Sequence, residues 1–262
     1  MQTLMKKLEH KPKKIAVITG ASEGIGAALV NELLKNDFKV VAISRNLKKL
    51  SKLKSFNSKY NNYLKIFSAD VTNSSQLLSI AKNIKSPDLL ILNAGIYEPV
   101  IIENFSVKSF IKQSEINYLG VIKSFDAFIK KMLLCRSGTV LIMSSIAGWI
   151  GLPKASAYAP TKSALKLFAQ SIRYDLAKYN IVVKLCSPGF VNTQAVKIND
   201  FKMPGLIEPN VAAKIILKNL SSKKFEITFP WFFSTFMKFL TYLPDNLSYK
   251  FIKYVTSYEK EK

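Results

Sequence analysis

KIAVITGASEGIG, residues 14–26, decides how the rest of the chain is read. Residues 14–19 form a short apolar run rich in β-branched side chains, the pattern of a buried strand. They lead straight into Gly20-Ala21-Ser22-Glu23-Gly24-Ile25-Gly26, and an amphipathic stretch continues to about Lys35. A strand, a glycine-rich turn and a helix N-terminus in succession make an anion site. Free backbone N–H groups and the helix dipole point at a phosphate, and glycines let the ligand approach the backbone. The spacing is Gly-x3-Gly-x-Gly rather than the commoner Gly-x-Gly-x2-Gly. In this strand–turn–helix setting it reads as a dinucleotide site rather than a plain structural turn.

The next strand, residues 38–43 (FKVVAI), ends at Ser44-Arg45. In sites of this type an acid near the end of the second strand takes the ribose 2′-OH of NAD, and an arginine there accommodates the 2′-phosphate of NADP. The acid is missing and Arg45 is present, which favours NADP(H). Glu23 in the turn counts the other way, so NAD(H) stays as the alternative.

Strands and helices then alternate. A basic helix covers about 47–55. A strand at 63–67 runs into Ala69-Asp70-Val71, where Asp70 can reach an adenine edge. A helix over 74–84 precedes a strand at 88–92 that ends in Asn93-Ala94-Gly95. A long helical region, 106–134, contains Asn117. Further strands are expected at 139–143, at 181–186 (before Ser187-Pro188-Gly189) and at 225–230, with a helix over 158–178. Polar residues and glycines gather at strand C-termini, where ligands bind in doubly wound α/β sheets. No repeat, linker or low-complexity break interrupts the pattern. The organisation read is a flexible basic tail (1–13), one Rossmann-like doubly wound domain (14–230) and an extension (231–262).

The chemistry is carried by residues 144–166, SSIAGWIGLPKASAYAPTKSALK. Tyr158 and Lys162 stand four apart in the opening turn of a helix, hence on one face. A phenol of pKa about 10 is a poor proton donor near neutrality, and a cation beside it lowers that value. Ser145 ends an apolar strand and lies where a hydroxyl can meet the phenol. The set is one acid/base, one tuning cation and one hydrogen-bond donor, with no metal.

Composition narrows the classes further. The 262 residues are 48% apolar, enough for one sizeable core. The net charge is +22, from 39 Lys and Arg against 17 Asp and Glu. The lysines are scattered and form no basic block, so nucleic acid is not read as the partner. The single histidine, His10, removes Ser-His-Asp and Cys-His mechanisms and multi-histidine metal sites. Cys135 and Cys186 read as small core residues in a reducing compartment. The N-terminus has no apolar signal-like run, and the expected location is cytoplasmic, with a peripheral membrane contact left open.

TGASEGIG (19–26), NAG (93–95), Asn117, Ser145, YAPTK (158–162) and PGFVNT (188–193) stand in the order and spacing of the short-chain dehydrogenase/reductase family. The chain resembles its compact branch over about residues 14–195. The resemblance implies a seven-stranded parallel sheet, a nicotinamide cofactor and hydride transfer to or from a carbonyl or secondary alcohol. By position it implies Tyr158 as acid/base, Lys162 as the cation that lowers the phenol pKa and binds the nicotinamide ribose, and Ser145 as donor to the substrate oxygen. Asn117 would hold a water behind Lys162. Gly20, Ser22, Gly24, Ile25 and Gly26 would line the pyrophosphate, Asp70 and Val71 the adenine, and Asn93, Ala94 and Gly95 its ribose. Pro188, Gly189, Val191 and Thr193 would border the nicotinamide. A homodimer or homotetramer is implied in the same way.

From residue 231 the character changes. WFFSTFMKFLTYL (231–243) is apolar almost all round, and 247–258 is more amphipathic. Thirteen residues are too few to span a bilayer, which needs roughly twenty. Three readings stay open: a membrane-interface helix with Lys238, Lys250 and Lys253 near headgroups, a roof over the substrate pocket, or a subunit contact. Each points to a hydrophobic carbonyl or alcohol substrate. Residues 203–206 suit a flexible apolar lid. Outside catalysis, the alternative is a cofactor-sensing or membrane-associated binding module.

Overall fold

The computed structural model describes residues 14–198 and 203–256. The 1–13 tail and the last residues of the extension lie outside that range. Seven parallel strands form one sheet: β1 (Ile15–Thr19), β2 (Lys39–Ser44), β3 (Leu64–Ser68), β4 (Leu89–Leu92), β5 (Gly138–Met143), β6 (Ile181–Pro188) and β7 (Glu226–Phe229). Their spatial order is β3-β2-β1-β4-β5-β6-β7. Ile18 of β1 pairs with Ala42 on one side and Ile91 on the other. The chain therefore reverses direction across the sheet at the β1/β4 boundary, and a crevice opens there at the strand C-termini.

Helices cover both faces, which is why the central strands are continuous apolar runs and not alternating ones. All four residues of β4 are buried. One face carries α1 (Gly24–Lys35), α2 (Leu47–Phe56) and α7 (Pro209–Leu220), whose Leu29, Leu33, Leu50 and Ile216 join the strands in one apolar cluster. The other carries α3 (Ser74–Lys82), α5 (Gly120–Cys135) and α6 (Ala159–Ala177), through Leu77, Phe128, Met132 and Leu165. Fully burying a side chain of this kind contributes about 1.5–3 kcal/mol, so the two faces hold the sheet together without any one residue dominating.

Three departures from the sequence reading have local causes. The expected 106–134 helix is α4 (Val107–Ser114), a widened π-helical turn (Glu115–Leu119) and α5. Asn117 sits in the wide turn and is fully buried; such turns occur where a side chain must be set out of helical register. The α7 helix was not anticipated. Its signals were Pro209 in the first turn, where the missing N–H costs nothing, and the spacing of Ala212, Ala213 and Ile216. Cys135 is exposed at the end of α5, and only Cys186 is a core residue.

The extension forms α8 (Trp231–Leu240) and α9 (Asp245–Thr256). Met237, Leu240 and Ile252 build a separate apolar cluster with Ile146, against which Trp149, Ile150 and Leu152 pack. No helix among the described residues is long and apolar enough to cross a membrane.

Candidate active site

The crevice is a cleft of about 290 Å³ that contacts Gly20, Ser22 and Gly24 at one end and Ser145, Tyr158 and Lys162 at the other. Its floor at the first end is shaped by glycines. Gly20 and Gly24 have φ of +65° and +55°, conformations that side chains rarely adopt. A Cβ on Gly26 would lie 2.1 Å from the Gly20 carbonyl oxygen, so the turn closes this tightly only because that position has no side chain. Thr19 Oγ1 accepts from the N–H of Asn93 (3.1 Å) and of Ala94 (3.2 Å). Asn93 Nδ2 donates to the carbonyls of Thr19 and Gly20, both at 3.1 Å. The Asn93 amide therefore bolts the ends of β1 and β4 together at the edge of the cleft. A helix N-terminus entered through glycines is the form of an anion cradle, with backbone N–H groups at the start of α1 and no Cβ on Gly20, Gly24 or Gly26.

At the outer end, Arg45 lines the cleft, and its guanidinium lies 3.7 Å from Asp70 Oδ2. Asp70 itself does not contact the cleft, whereas Ala69 and Val71 do. Its carboxylate accepts from the Thr72 N–H (2.9 Å) and hydroxyl (2.8 Å). Burial pushes the Asp70 carboxyl up, but the bonds from Thr72 and the Arg45 guanidinium outweigh it and hold its pKa below the ordinary value. Asp70 thus stands between the Thr72 backbone and the Arg45 guanidinium, beside the Ala69 and Val71 that line the cleft. Glu23 borders the cleft and is paired with Lys49 of α2. Ser22 and Ser44 hydroxyls share a 2.8 Å hydrogen bond beneath them.

At the inner end, Tyr158 caps α6 and its hydroxyl is hydrogen bonded with the Ser145 side chain. Ser145 Oγ also accepts from the Ala147 N–H at 3.1 Å, which fixes the hydroxyl at the strand end. Lys162 is buried one turn into α6, and its ammonium donates to the Met143 carbonyl at 3.0 Å. The ammonium sits 5.5 Å from the Tyr158 ring centroid. Burial pulls the Lys162 pKa down to about 8, against a smaller upward pull from Cys186. Burial pushes the Tyr158 phenol up to about 12; the Ser145 hydrogen bond opposes this and Tyr97 adds to it. The expectation that Lys162 lowers the phenol pKa is not met: the ammonium is engaged by the Met143 carbonyl, and burial of the phenol leads the shift.

Asn117 does not contact the cleft. It lies behind it, with Oδ1 accepting from the Ile96 N–H (2.7 Å) and Nδ2 donating to the Ile96 carbonyl (2.9 Å) and to Thr161 Oγ1 (3.3 Å). It locks the strand end after Gly95 to α6. Pro188, Gly189, Val191 and Thr193 form the remaining wall, and Thr193 reaches the glycine turn, where a Cβ on Gly24 would lie 2.9 Å from its methyl. Tyr97 was missed in the sequence. It packs edge-on against Tyr158, with ring centroids 5.2 Å apart, and its position two residues past Gly95 was the available signal. Among the described residues no side chain of α8 or α9 lines the cleft; the extension packs beside it, on Ile146, Trp149, Ile150 and Leu152, and Phe233 lies against Gly189 of its wall. Gly205 packs against Pro230 and Phe232. No cluster of potential metal ligands occurs among the described residues.

A family profile described as short chain dehydrogenase matches residues 14–202. The chain belongs to that family and is an oxidoreductase. It is similar to 3-dehydrosphinganine reductase of Danio rerio, 30% identical over 245 residues, covering 85% of this chain and 74% of the relative. It is similar as well to 2,3-dihydro-2,3-dihydroxybenzoate dehydrogenase of Bacillus subtilis (strain 168), 31% identical over 184 residues, covering 69% and 70%. Among solved structures it resembles ElxO with NADP bound, at 25% identity and a TM-score of 0.74, covering 83% of this chain and 98% of that one.

Proposed function

We propose that the protein is an NADP(H)-dependent reductase of a carbonyl group on a hydrophobic substrate. The observation that carries this reading is the Tyr158–Ser145 hydrogen bond, held over a buried Lys162 at one end of a cleft whose other end is a glycine-lined helix N-terminus. Bound in that cleft, the nicotinamide would supply the hydride. The residues of this chain do the rest. Gly20, Gly24 and Gly26 present backbone N–H groups to the pyrophosphate. Arg45, steadied by Asp70, faces the adenosine end and offers a guanidinium to a 2′-phosphate. The Glu23 carboxylate, which would repel that phosphate, is offset by Lys49.

At the inner end, Tyr158 Oη is protonated in the free enzyme, as a proton donor must be. Ser145 Oγ aligns the substrate oxygen beside it, and Tyr158 gives up its proton as that oxygen gains charge. The Lys162 ammonium stabilises the phenolate left behind and has N–H groups beyond the one on Met143 for the ribose. Asn117 keeps α6 and the Ile96 backbone in register with both.

The similarity to a 3-dehydrosphinganine reductase supports a lipid-like ketone, and the NADP carried by ElxO supports the phosphate-bearing cofactor. A second reading, an NAD-linked dehydrogenase oxidising an alcohol, is favoured by Glu23 at the cleft and by the similarity to a dihydrodiol dehydrogenase. Fluorescence titration with NADPH and NADH side by side separates them. Tighter NADPH binding that is lost in Arg45→Asp supports the first, and preference for NADH supports the second. Binding of neither would leave the non-catalytic module.

A further inference from the structure

The α8–α9 pair presents two opposite surfaces of different character. Its inner face is the apolar cluster described above. On the outer face of α8, Trp231, Phe232 and Phe239 are exposed, Trp231 by 77%, and Tyr242, in the turn after the helix, is exposed by 76%. At 100° per residue the three helical aromatics and Lys238 fall within about a third of the helix circumference. On α9, Leu247, Phe251 and Tyr254 share one side with Lys250. Exposed aromatic area of this extent on a single element is seldom without a partner.

Charge identifies the partner. Residues 231–256 contain three lysines and one acid, Asp245, and the chain as a whole carries +22. A second copy of the chain would bring lysine against lysine and a like net charge. An anionic bilayer brings the opposite sign. Trp and Tyr rings settle at the headgroup level, Phe and Leu go below it, and lysine stems reach up to the phosphates. Neither helix is long enough to do more than lie in that plane.

We propose that the outer face of α8–α9 is a docking surface for an anionic lipid bilayer, with Trp231, Phe232 and Phe239 inserted and Lys238 and Lys250 at the headgroups. The inner face packs on Ile146, Trp149, Ile150 and Leu152, the segment that follows Ser145. Docking therefore holds the substrate end of the cleft to the lipid surface. The surface stands whether or not the redox reading is correct, because it rests on the extension alone.

The test is co-sedimentation of the full chain with vesicles of phosphatidylcholine alone and of phosphatidylcholine mixed in equal parts with phosphatidylglycerol. The proposal expects binding to the mixed vesicles, weakened about tenfold or more by Trp231→Ser with Phe239→Ser. Lys238→Glu with Lys250→Glu should weaken it further than loss of two lysines elsewhere on the surface, such as Lys130→Glu with Lys178→Glu. These side chains point away from the core, and retained cofactor binding or an unchanged thermal midpoint reports that the variants fold. Tryptophan emission should shift to the blue on binding and lose that shift in Trp231→Phe. Absence of binding to mixed vesicles overturns the proposal. So does binding that the aromatic variants leave intact while Ile102→Ser with Phe105→Ser abolishes it. Dimerisation through Trp231 and Phe239 without vesicle binding would assign the face to a second copy and overturn it as well.

Discussion

The two ends of the cleft are built on opposite principles. At the outer end, Arg45, Glu23 and Lys49 are largely exposed and joined by charge pairs, and the half-buried Asp70 beside Arg45 is held by Thr72. At the inner end, Lys162 is buried and Tyr158, Ser145 and Asn117 are held by hydrogen bonds to backbone and to one another. Exposed pairs contribute about 0–1 kcal/mol each and weaken with salt. A buried polar group left without a partner costs about 1–3 kcal/mol. Under the proposed function, selectivity between NADP and NAD would belong at the first kind of site, where one substitution leaves the fold intact, and proton transfer at the second, where the hydrogen bonds are part of the packing.

The comparison breaks most visibly at Tyr158. Tyr158→Phe keeps the ring and its packing on Tyr97 and removes only the hydroxyl. Turnover should fall by about a hundredfold to ten-thousandfold with NADPH affinity nearly unchanged, as measured by steady-state kinetics beside fluorescence titration. Equal losses in both would mean that Tyr158 serves binding and not proton transfer.

Gly26→Ala should come next. Its Cβ meets the Gly20 carbonyl at 2.1 Å, so the turn must open, and overpacking of this kind costs about 1–3 kcal/mol. NADPH binding should be lost at concentrations that saturate the natural protein, with a lower thermal midpoint. Unaltered affinity would show that the cradle is not the phosphate site.

Arg45→Asp should cost less. Removing one charge-assisted contact is worth about 1.5–3 kcal/mol, or about tenfold to a hundredfold in NADPH affinity. NADH affinity should hold or improve. If both cofactors weaken together, Arg45 shapes the loop and does not read the phosphate.

The inner end carries its own pH signature. The folded chain releases the Lys162 proton near pH 8, whereas an unfolded lysine holds it to about 10.5. Between those values the unfolded state binds more protons, so stability rises with pH. Tyr158, raised to about 12, acts in the opposite sense above pH 10. The thermal midpoint of the cofactor-free protein should climb between pH 8 and 10, and Lys162→Met should climb less. Parallel profiles would place the ammonium in a wetter setting than its burial implies.

The smallest effect is expected at Asp70. Asp70→Asn removes one exposed partner of Arg45, and a change of no more than about 1 kcal/mol in NADPH binding should follow. A larger loss would make Asp70 a direct contact.

Much of this was legible in order along the chain. Apolar runs bounded by glycine or polar residues marked the strands because a parallel sheet covered on both faces needs apolar side chains on both sides. The glycine spacing marked the cradle because backbone that turns at positive φ beside a carbonyl tolerates no Cβ. Tyr158 and Lys162 were visible as a pair because four residues make one helical turn. What local pattern did not carry was partnership across long separations. That Asp70 serves Arg45, that Lys49 answers Glu23, and that Asn117 grips Ile96 through a widened turn depend on strand order and helix placement. The direction of the Tyr158 pKa was misread as downward, because proximity to a lysine is a matter of sequence and desolvation is a matter of packing. The extension shows the same division. Its sequence determined that two aromatic helices follow the last strand. Only the tertiary structure decided which face of the first is buried against Ile146 and Trp149, because its aromatic run (231–243) is apolar almost all round and periodicity alone does not choose between its faces.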